Sequence, residues 1–278
     1  MSDIGVVGLV LILANGIISY KGFEDYDWFN SLKFEVEPIL GQKDYKRLIS
    51  SGFLHVNWTH LLFNMFSLYA FAGMLEHGLG SLNFAIIYFA SLIGGNLLAL
   101  YIHRHHGRYS AVGASGAVSG IIFASIALMP GMNLFLMFIP IPIPSWIFGL
   151  AYVGYSIYGI RSNHDNIGHE AHLGGAIIGM LISILLYPQS VTVNYLPILA
   201  TAIPTVIFIY LILYKPHVLN IENPYKLEQR NHLTLDDRYN ERRAERQKEL
   251  NELLEKVKRH GLDSLSEYER KRLEDLSN

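Results

Sequence analysis

The chain contains no cysteine, which excludes disulfides, thiolate-bound zinc, iron–sulfur clusters and a thiol nucleophile together. Charge is scarce too: 17% of the 278 residues are Asp, Glu, Lys or Arg, against about a quarter in soluble domains. Neither sign is in surplus, because 22 basic and 24 acidic residues leave a net charge of −2. No nucleic-acid partner is expected, since nothing stands ready to neutralise a run of phosphates. The N-terminus has no basic stretch ahead of its first apolar run and no cleavage signal, so that run reads as a retained span.

What is present in abundance is apolar sequence, at 51% of residues and a mean hydropathy of +0.25. Charges are sparse before Lys215 and dense after it. A membrane core is therefore expected over residues 1–190, a further span within 191–214, and a charged helical tail over 215–278. A spanning helix needs about 20 mostly apolar residues, with about 17 as a minimum. Runs of that length lie at 4–20, 54–76, 80–102, 113–129 and 168–187, and the fifth span, regular only over 145–160, falls just short. A seventh at 195–214 contains Pro197 and Pro204, which predict a kink. Pro130-Gly131 ends the fourth span, Pro140, Pro142 and Pro144 delay the fifth, and the polar run 161–166 separates fifth from sixth. Residues 21–52 hold Trp28, Phe29, Phe34 and Tyr45 among several basic residues, the pattern of a loop lying in the headgroup region.

The tail alternates acid and base and sets Leu250, Leu253, Leu254 and Val257 at helical spacing. Gly261 is placed to stop that helix, and Ser266 with Glu269 forms a capping box for a second. A small helical hairpin that could meet a protein partner is the expectation, with no catalytic constellation in it. The fold class is all-α, a polytopic membrane protein.

Polar side chains inside apolar spans are costly unless they are used or paired, so they are where function is sought. His55, Asn57, His60 and Asn64 cluster at the second span, Asn96 lies in the third, Ser115 and Ser119 in the fourth, and His169, Glu170 and His172 open the sixth. For Asn96 the plain reading is a helix–helix hydrogen bond. The set His60, Asn64, Ser115 and His172 is different, because its members complement one another chemically. A serine nucleophile needs a base within hydrogen-bond reach, and histidine serves near neutral pH. It also needs donors facing the oxyanion of the tetrahedral intermediate. His60 and Asn64, at i and i+4, share one helix face. Ser115, between Gly113 and Gly116 at the mouth of its span, has a backbone N–H without an intrahelical acceptor. Gly116 with Gly120, and Gly175 with Gly179, are small residues four apart that let two helices close tightly. No acidic residue is positioned to orient His172, so a dyad is expected rather than a triad.

At these residues the chain resembles the rhomboid intramembrane serine proteases over most of 40–180. The resemblance is carried by His60-Leu61-Leu62-Phe63-Asn64, by Gly73-Met74-Leu75-Glu76 with Gly80, by Gly113-Ala114-Ser115-Gly116, and by Ala171-His172-Leu173-Gly174-Gly175 with Gly179. It implies a six-helix core, here with a seventh helix added. Ser115 becomes the nucleophile and His172 the base, and His60, Asn64 and the Ser115 N–H become the oxyanion hole. His55, Gly113, Gly116, Gly175, Gly179 and Arg47 take supporting positions. Arg47 falls where the family has a Trp-Arg pair in its first loop, with Lys46 in place of the Trp. Ser119 stands where many relatives have an aromatic residue that supports the histidine. The implied activity is cleavage of single-span membrane-protein substrates within the lipid bilayer, without cofactor or metal, in a multi-pass protein of a bacterial plasma membrane. Substrate is expected to pass between spans two and five, near the first loop and the proline-rich start of span five.

The rivals explain less. His169-Glu170-Ala171-His172 is one residue short of the zinc motif His-Glu-x-x-His, which sets two ligands at i and i+4. An aspartyl protease needs two carboxylates within spans, and Glu76 and Glu170 lie at span ends. A transporter accounts for broken helices but not for a serine and a histidine each set among small residues. A catalytically silent rhomboid-like binding protein is the remaining alternative, although such proteins usually lack one of the two residues. Orientation stays open. The basic residues all lie on the side of the first loop and the tail, which the positive-inside rule makes cytoplasmic, and Ser115 and His172 sit near span ends facing that side. An outward-opening site is preferred by the resemblance. The alternatives are a site facing the cytoplasm and a seventh segment that does not span.

Overall fold

The computed structural model describes residues 4–136, 139–162, 168–215, 249–251, 253–259, 261 and 265–277. The expected polar run at 161–166 and the first half of the tail lie largely outside these residues. Two compact units divide the chain, Met1–Asn231 and His232–Asn278.

The first unit is an all-α membrane fold with seven long helices among its described residues: α1 (Val6–Glu24), α5 (Trp58–Leu79), α6 (Ser81–His103), α7 (Ser115–Leu128), α8 (Ser145–Ser162), α9 (His169–Leu186) and α10 (Gln189–Tyr214). Between α1 and α5 come α2 (Tyr26–Leu32), strand β1 (Phe34–Glu35), α3 (Val36–Gly41), α4 (Arg47–Ser50) and a 3-10 turn (Ser51–Phe53). Helices α1, α6, α9 and α10 are long and apolar enough to cross a membrane. Helix α5 carries His60, Asn64, Ser67, Glu76 and His77, and α7 is short, at 14 residues.

Helix α7 is the centre. Every residue from Gly116 to Ala127 is buried, which is what a helix apolar on all faces must do. Ile121, Phe123 and Ile126 pack with Leu68, Phe71 and Leu75 of α5, Phe84, Tyr88 and Leu92 of α6, and Ala176 and Met180 of α9. Glu76, at 4% exposure, closes the rim of this core. Its carboxylate accepts the α1 N–H groups of Val7 (2.9 Å) and Gly8 (2.8 Å) and the Ser81 hydroxyl (2.7 Å). These are first-turn amides that no helix satisfies internally, so one carboxylate ties α1 to the junction of α5 and α6.

The structure refines four expectations. In the first loop Phe29 and Phe34 are buried at 3% and 1%, Phe34 against Val36, Ile39, Ala99, Leu100 and Ala171, while Tyr45 is 57% exposed. Part of the loop's apolar face thus packs on protein. Asn96 makes the expected helix–helix hydrogen bond, and its partners lie in the first loop: its amide donates to Leu48 O of α4 (2.8 Å) and to Ser51 Oγ of the 3-10 turn (3.2 Å). The proline-rich segment forms strand β4 (Ile139–Pro144), antiparallel to β3 (Asn133–Leu136). It follows the C-terminal end of α7, about 20 Å of helix from Ser115 at 1.5 Å per residue, so it does not mark access to that end. In α10 the break is at Asn194 (φ −116°, ψ 25°) and not at Pro197 or Pro204. Pro197 then falls in the first turn after the break, where its missing N–H has no acceptor to leave empty. The Asn194 side-chain amide donates to Ala127 O (2.9 Å) and Leu128 O (3.4 Å), capping α7.

In the second unit, residues 249–251 and 253–259 are helical. They end at Gly261 (φ +79°), whose N–H returns to Val257 O at 2.8 Å, the left-handed glycine stop. The following helix α11 (Glu267–Ser277) begins with a reciprocal capping box: Ser266 N–H to Glu269 Oε2 at 2.8 Å and Glu269 N–H to Ser266 Oγ at 3.3 Å. Lys256, with those Ser266 donors, draws the Glu269 carboxyl down to about 2. Arg272 grips Glu249 with two 2.9 Å bonds, and Leu253 and Leu265 are buried. These residues make a helical hairpin.

Glu76→Ala strands two amides at the start of α1, and charge-assisted bonds of this kind contribute about 1.5–3 kcal/mol each. The expected outcome is a clear fall in unfolding temperature in detergent micelles, with Glu76→Gln falling less. An unchanged transition in the alanine variant would show that α1 is held by packing alone.

Candidate active site

The site forms where α7 and α9 touch backbone to backbone. A Cβ on Gly175 would strike the Gly116 carbonyl oxygen, and one on Gly179 the Gly120 carbonyl. Helices brought this close carry their first turns together: His172 Nε2 lies 2.6 Å from Ser115 Oγ, across 57 residues of sequence. His172 is 7% exposed. For Nε2 to accept the hydroxyl proton, the ring proton must sit on Nδ1, which is buried without a partner among the described residues. Glu170, the acid nearest in sequence, instead faces His103 Nε2 at 3.5 Å.

Ser115 opens α7 after Gly113 (φ +134°), a conformation that disfavours any side chain. A Cβ there would lie 2.9 Å from His60 Cε1, 3.0 Å from His60 Nε2 and 3.5 Å from Ser115 Oγ. The bare Gly113 thus lets the His60 ring and the Ser115 hydroxyl approach one another. Asn64 is on the same side, at 7% exposure, one amide hydrogen donated to His60 O at 3.0 Å and the second available. Helix α5 starts where it does because Asn57 caps it, accepting the His60 N–H at 2.8 Å.

Behind His60 stands a second polar layer. The Ser19 hydroxyl donates to Phe53 O at 2.9 Å, so its 2.9 Å contact with His55 Nδ1 is donated by the ring. That tautomer leaves Nε2 to accept the Ala114 N–H at 3.5 Å. The His55 ring meets His60 edge-on, with centroids 4.8 Å apart and planes at 72°. The Gly113 N–H donates to Ser51 O at 3.0 Å, and strand β2 (Ser110–Ala111) pairs with β1. Arg47, 9% exposed, donates to Asn30 O (2.7 Å), Lys33 O (2.8 Å) and Asp44 (2.9 Å), tying parts of the first loop to one another. Lys46 points outward, its side chain 63% exposed.

Three contributors escaped the sequence reading. Ser19 and Ser51 are ordinary small residues in a sequence, and only their neighbours distinguish them. Tyr152 of α8 is one of 17 tyrosines. It stacks on His172 (centroids 5.9 Å, planes 26° apart), and its hydroxyl is 2.6 Å from Ser119 Oγ.

Residues 42–189 match the family model for the Rhomboid domain, and residues 233–278 match a family of unknown function, DUF6576. The chain is similar to RHOMBOID-like protein 12, mitochondrial, of Arabidopsis thaliana, with 29% identity over 63% of this chain and 56% of that protein. It is similar to Rhomboid protein 1, mitochondrial, of Saccharomyces cerevisiae, with 33% identity over 54% of this chain and 45% of the other. Rhomboid protease AarA of Providencia stuartii shares 32% over 63% of this chain and 70% of its own length. The chain spans about half the length of the first two of these relatives.

The contact between α7 and α9 leaves no room for a side chain. Gly175→Val is expected to lower stability by about 1–3 kcal/mol through overpacking, measured by thermal unfolding in micelles. A variant as stable as the native protein would mean that the two helices can part without cost.

Proposed function

The chain belongs to the rhomboid family, and on that premise we propose that it is an intramembrane serine endopeptidase with a Ser115–His172 dyad. The observation that carries this reading is the 2.6 Å contact between His172 Nε2 and Ser115 Oγ. Ser115 Oγ attacks the scissile carbonyl carbon of a transmembrane segment while its proton passes to His172 Nε2. The negative charge that develops on the carbonyl oxygen is met by the Ser115 N–H, the free Asn64 amide hydrogen and His60. These donors are fixed in advance by the α7 start, by the Asn64–His60 bond and by the His55 edge, which is how preorganised donors favour a transition state. As the tetrahedral intermediate collapses, His172 returns the proton to the leaving amine and an acyl-enzyme on Ser115 remains. Water, deprotonated by His172, then releases the second fragment.

Substrates of this class are single-span membrane proteins, and access is lateral, between α5 and α8. Small residues at the scissile position and segments that unwind easily suit such a site, because an intact helix keeps its carbonyls in hydrogen bonds. We assign the protein to a bacterial plasma membrane. In support, the Providencia relative and Putative rhomboid protease YdcA of Bacillus subtilis are covered over 70% and 67% of their lengths. The relatives named mitochondrial are covered over a smaller share.

Purified protein in liposomes with a single-span reporter tests the dyad. His172→Ala is expected to slow cleavage about 10²–10⁴-fold, the usual contribution of a positioned base, and Ser115→Ala to abolish it. Asn64→Ala is expected to lower kcat about 10²-fold, as loss of one oxyanion donor does. Cleavage by Ser115→Ala at the native rate would refute the proposal. Failure of the native protein both to cleave and to take a fluorophosphonate at Ser115 would favour the silent binding protein.

A further inference from the structure

Among the described residues, His172 has no acid bonded to its ring. Its Nδ1 is buried without a partner among the described residues, and Glu170 is turned toward His103. A base whose ring can rotate loses its nucleophile, so something else must hold the plane of this imidazole. Ring contacts are what surround it. Tyr152 covers one face at 5.9 Å between centroids, with planes 26° apart. His169 meets it edge-on at 5.6 Å and 77°. Tyr152 is itself fixed from two sides: Phe148 stacks on it at 6.4 Å and 21°, and its hydroxyl bonds to Ser119 Oγ.

The direction of that bond can be assigned. Ser119 Oγ donates its own hydrogen to Ser115 O at 2.6 Å, so the contact with Tyr152 must be donated by the phenol. A chain of two hydrogen bonds therefore runs from Tyr152 O–H through Ser119 O–H to the carbonyl of Ser115. It starts on the ring that covers the base and ends on the residue that bears the nucleophile. From this geometry we propose that Tyr152, locked through Ser119 to the Ser115 backbone, is the positioning residue that sets the His172 ring against Ser115 Oγ. The inference rests on the dyad reading. It adds that α8, which contributes no group to the chemistry, holds the base in register with α7.

The liposome assay separates the two. Tyr152→Ala is expected to lower kcat about tenfold or more with KM little changed, since a stacked aromatic pair of this kind is equivalent to about three- to tenfold in rate and the hydroxyl bond is lost with it. Tyr152→Phe keeps the ring and is expected to recover most of that loss. Ser119→Ala removes the anchor and leaves the ring, with an expected fall of about threefold. In the Tyr152→Ala background, Ser119→Tyr brings a ring into the vacated space from α7 and is expected to restore part of kcat. Native kcat in Tyr152→Ala, with Ser115→Ala inactive, would overturn the positioning role and leave the dyad intact. A fall in KM and kcat together that Tyr152→Phe does not rescue would mark the residue as structural only. If Tyr152→Ala does not fold, Ser119→Ala decides, and an unchanged kcat there overturns the proposal. Cleavage by Ser115→Ala would instead remove the premise.

Discussion

The rest of the structure depends on one contact, the meeting of α7 and α9 through Gly116, Gly120, Gly175 and Gly179. In a bilayer the lipid is as apolar as the helices, so burying leucine gains little and close backbone packing must hold spans together. Four glycines allow that approach, and they also set its register. Ser115 precedes Gly116 and His172 lies three residues before Gly175, so the helix axes that touch at the glycines carry hydroxyl and imidazole to hydrogen-bond distance. Packing and chemistry are the same contact. A shift along it by one residue would separate the two side chains by far more than a hydrogen bond can span.

Around that contact, the polar groups form a connected set. Asn96 holds Ser51, Ser51 holds the Gly113 N–H, His55 holds the Ala114 N–H, and Ser19 holds His55. Arg47 fastens the first loop internally with bonds to Asn30, Lys33 and Asp44, while Lys46 faces outward.

How much of this could be read in advance follows from what each feature depends on. The long helices were legible because hydropathy and proline mark their ends within a few residues. Ser115, His172, His60 and Asn64 stood out because polar groups in apolar runs are few and costly. The first loop was legible only in part, because an amphipathic pattern records that a face is apolar without recording which of its residues protein will cover. For Asn96 the kind of bond was legible and its partner was not, since an amide in a span calls for a partner and says nothing of which one. Tyr152 was invisible. Its use depends on which helix faces α9, and a tyrosine in a span also suits an interface or a core.

The length of α7 explains why the first loop is built as it is. Fourteen residues extend about 21 Å, short of a hydrocarbon layer of about 30 Å. This fully buried helix therefore does not cover such a layer by itself, and residues 110–114 that lead into it are non-helical backbone. Backbone of that kind persists in a bilayer only where protein or water meets its amides. Strand β1 pairs with Ser110 and Ala111, and Ser51 and His55 accept the N–H groups of Gly113 and Ala114. The first free N–H groups are then those of the α7 first turn, at Ser115 and just after it. A short central helix whose approach is hydrogen-bonded by a folded loop thus leaves Ser115 at its mouth with unspent backbone donors beside it, and the polar side chains of His60, Asn64 and His172 gather at that same end.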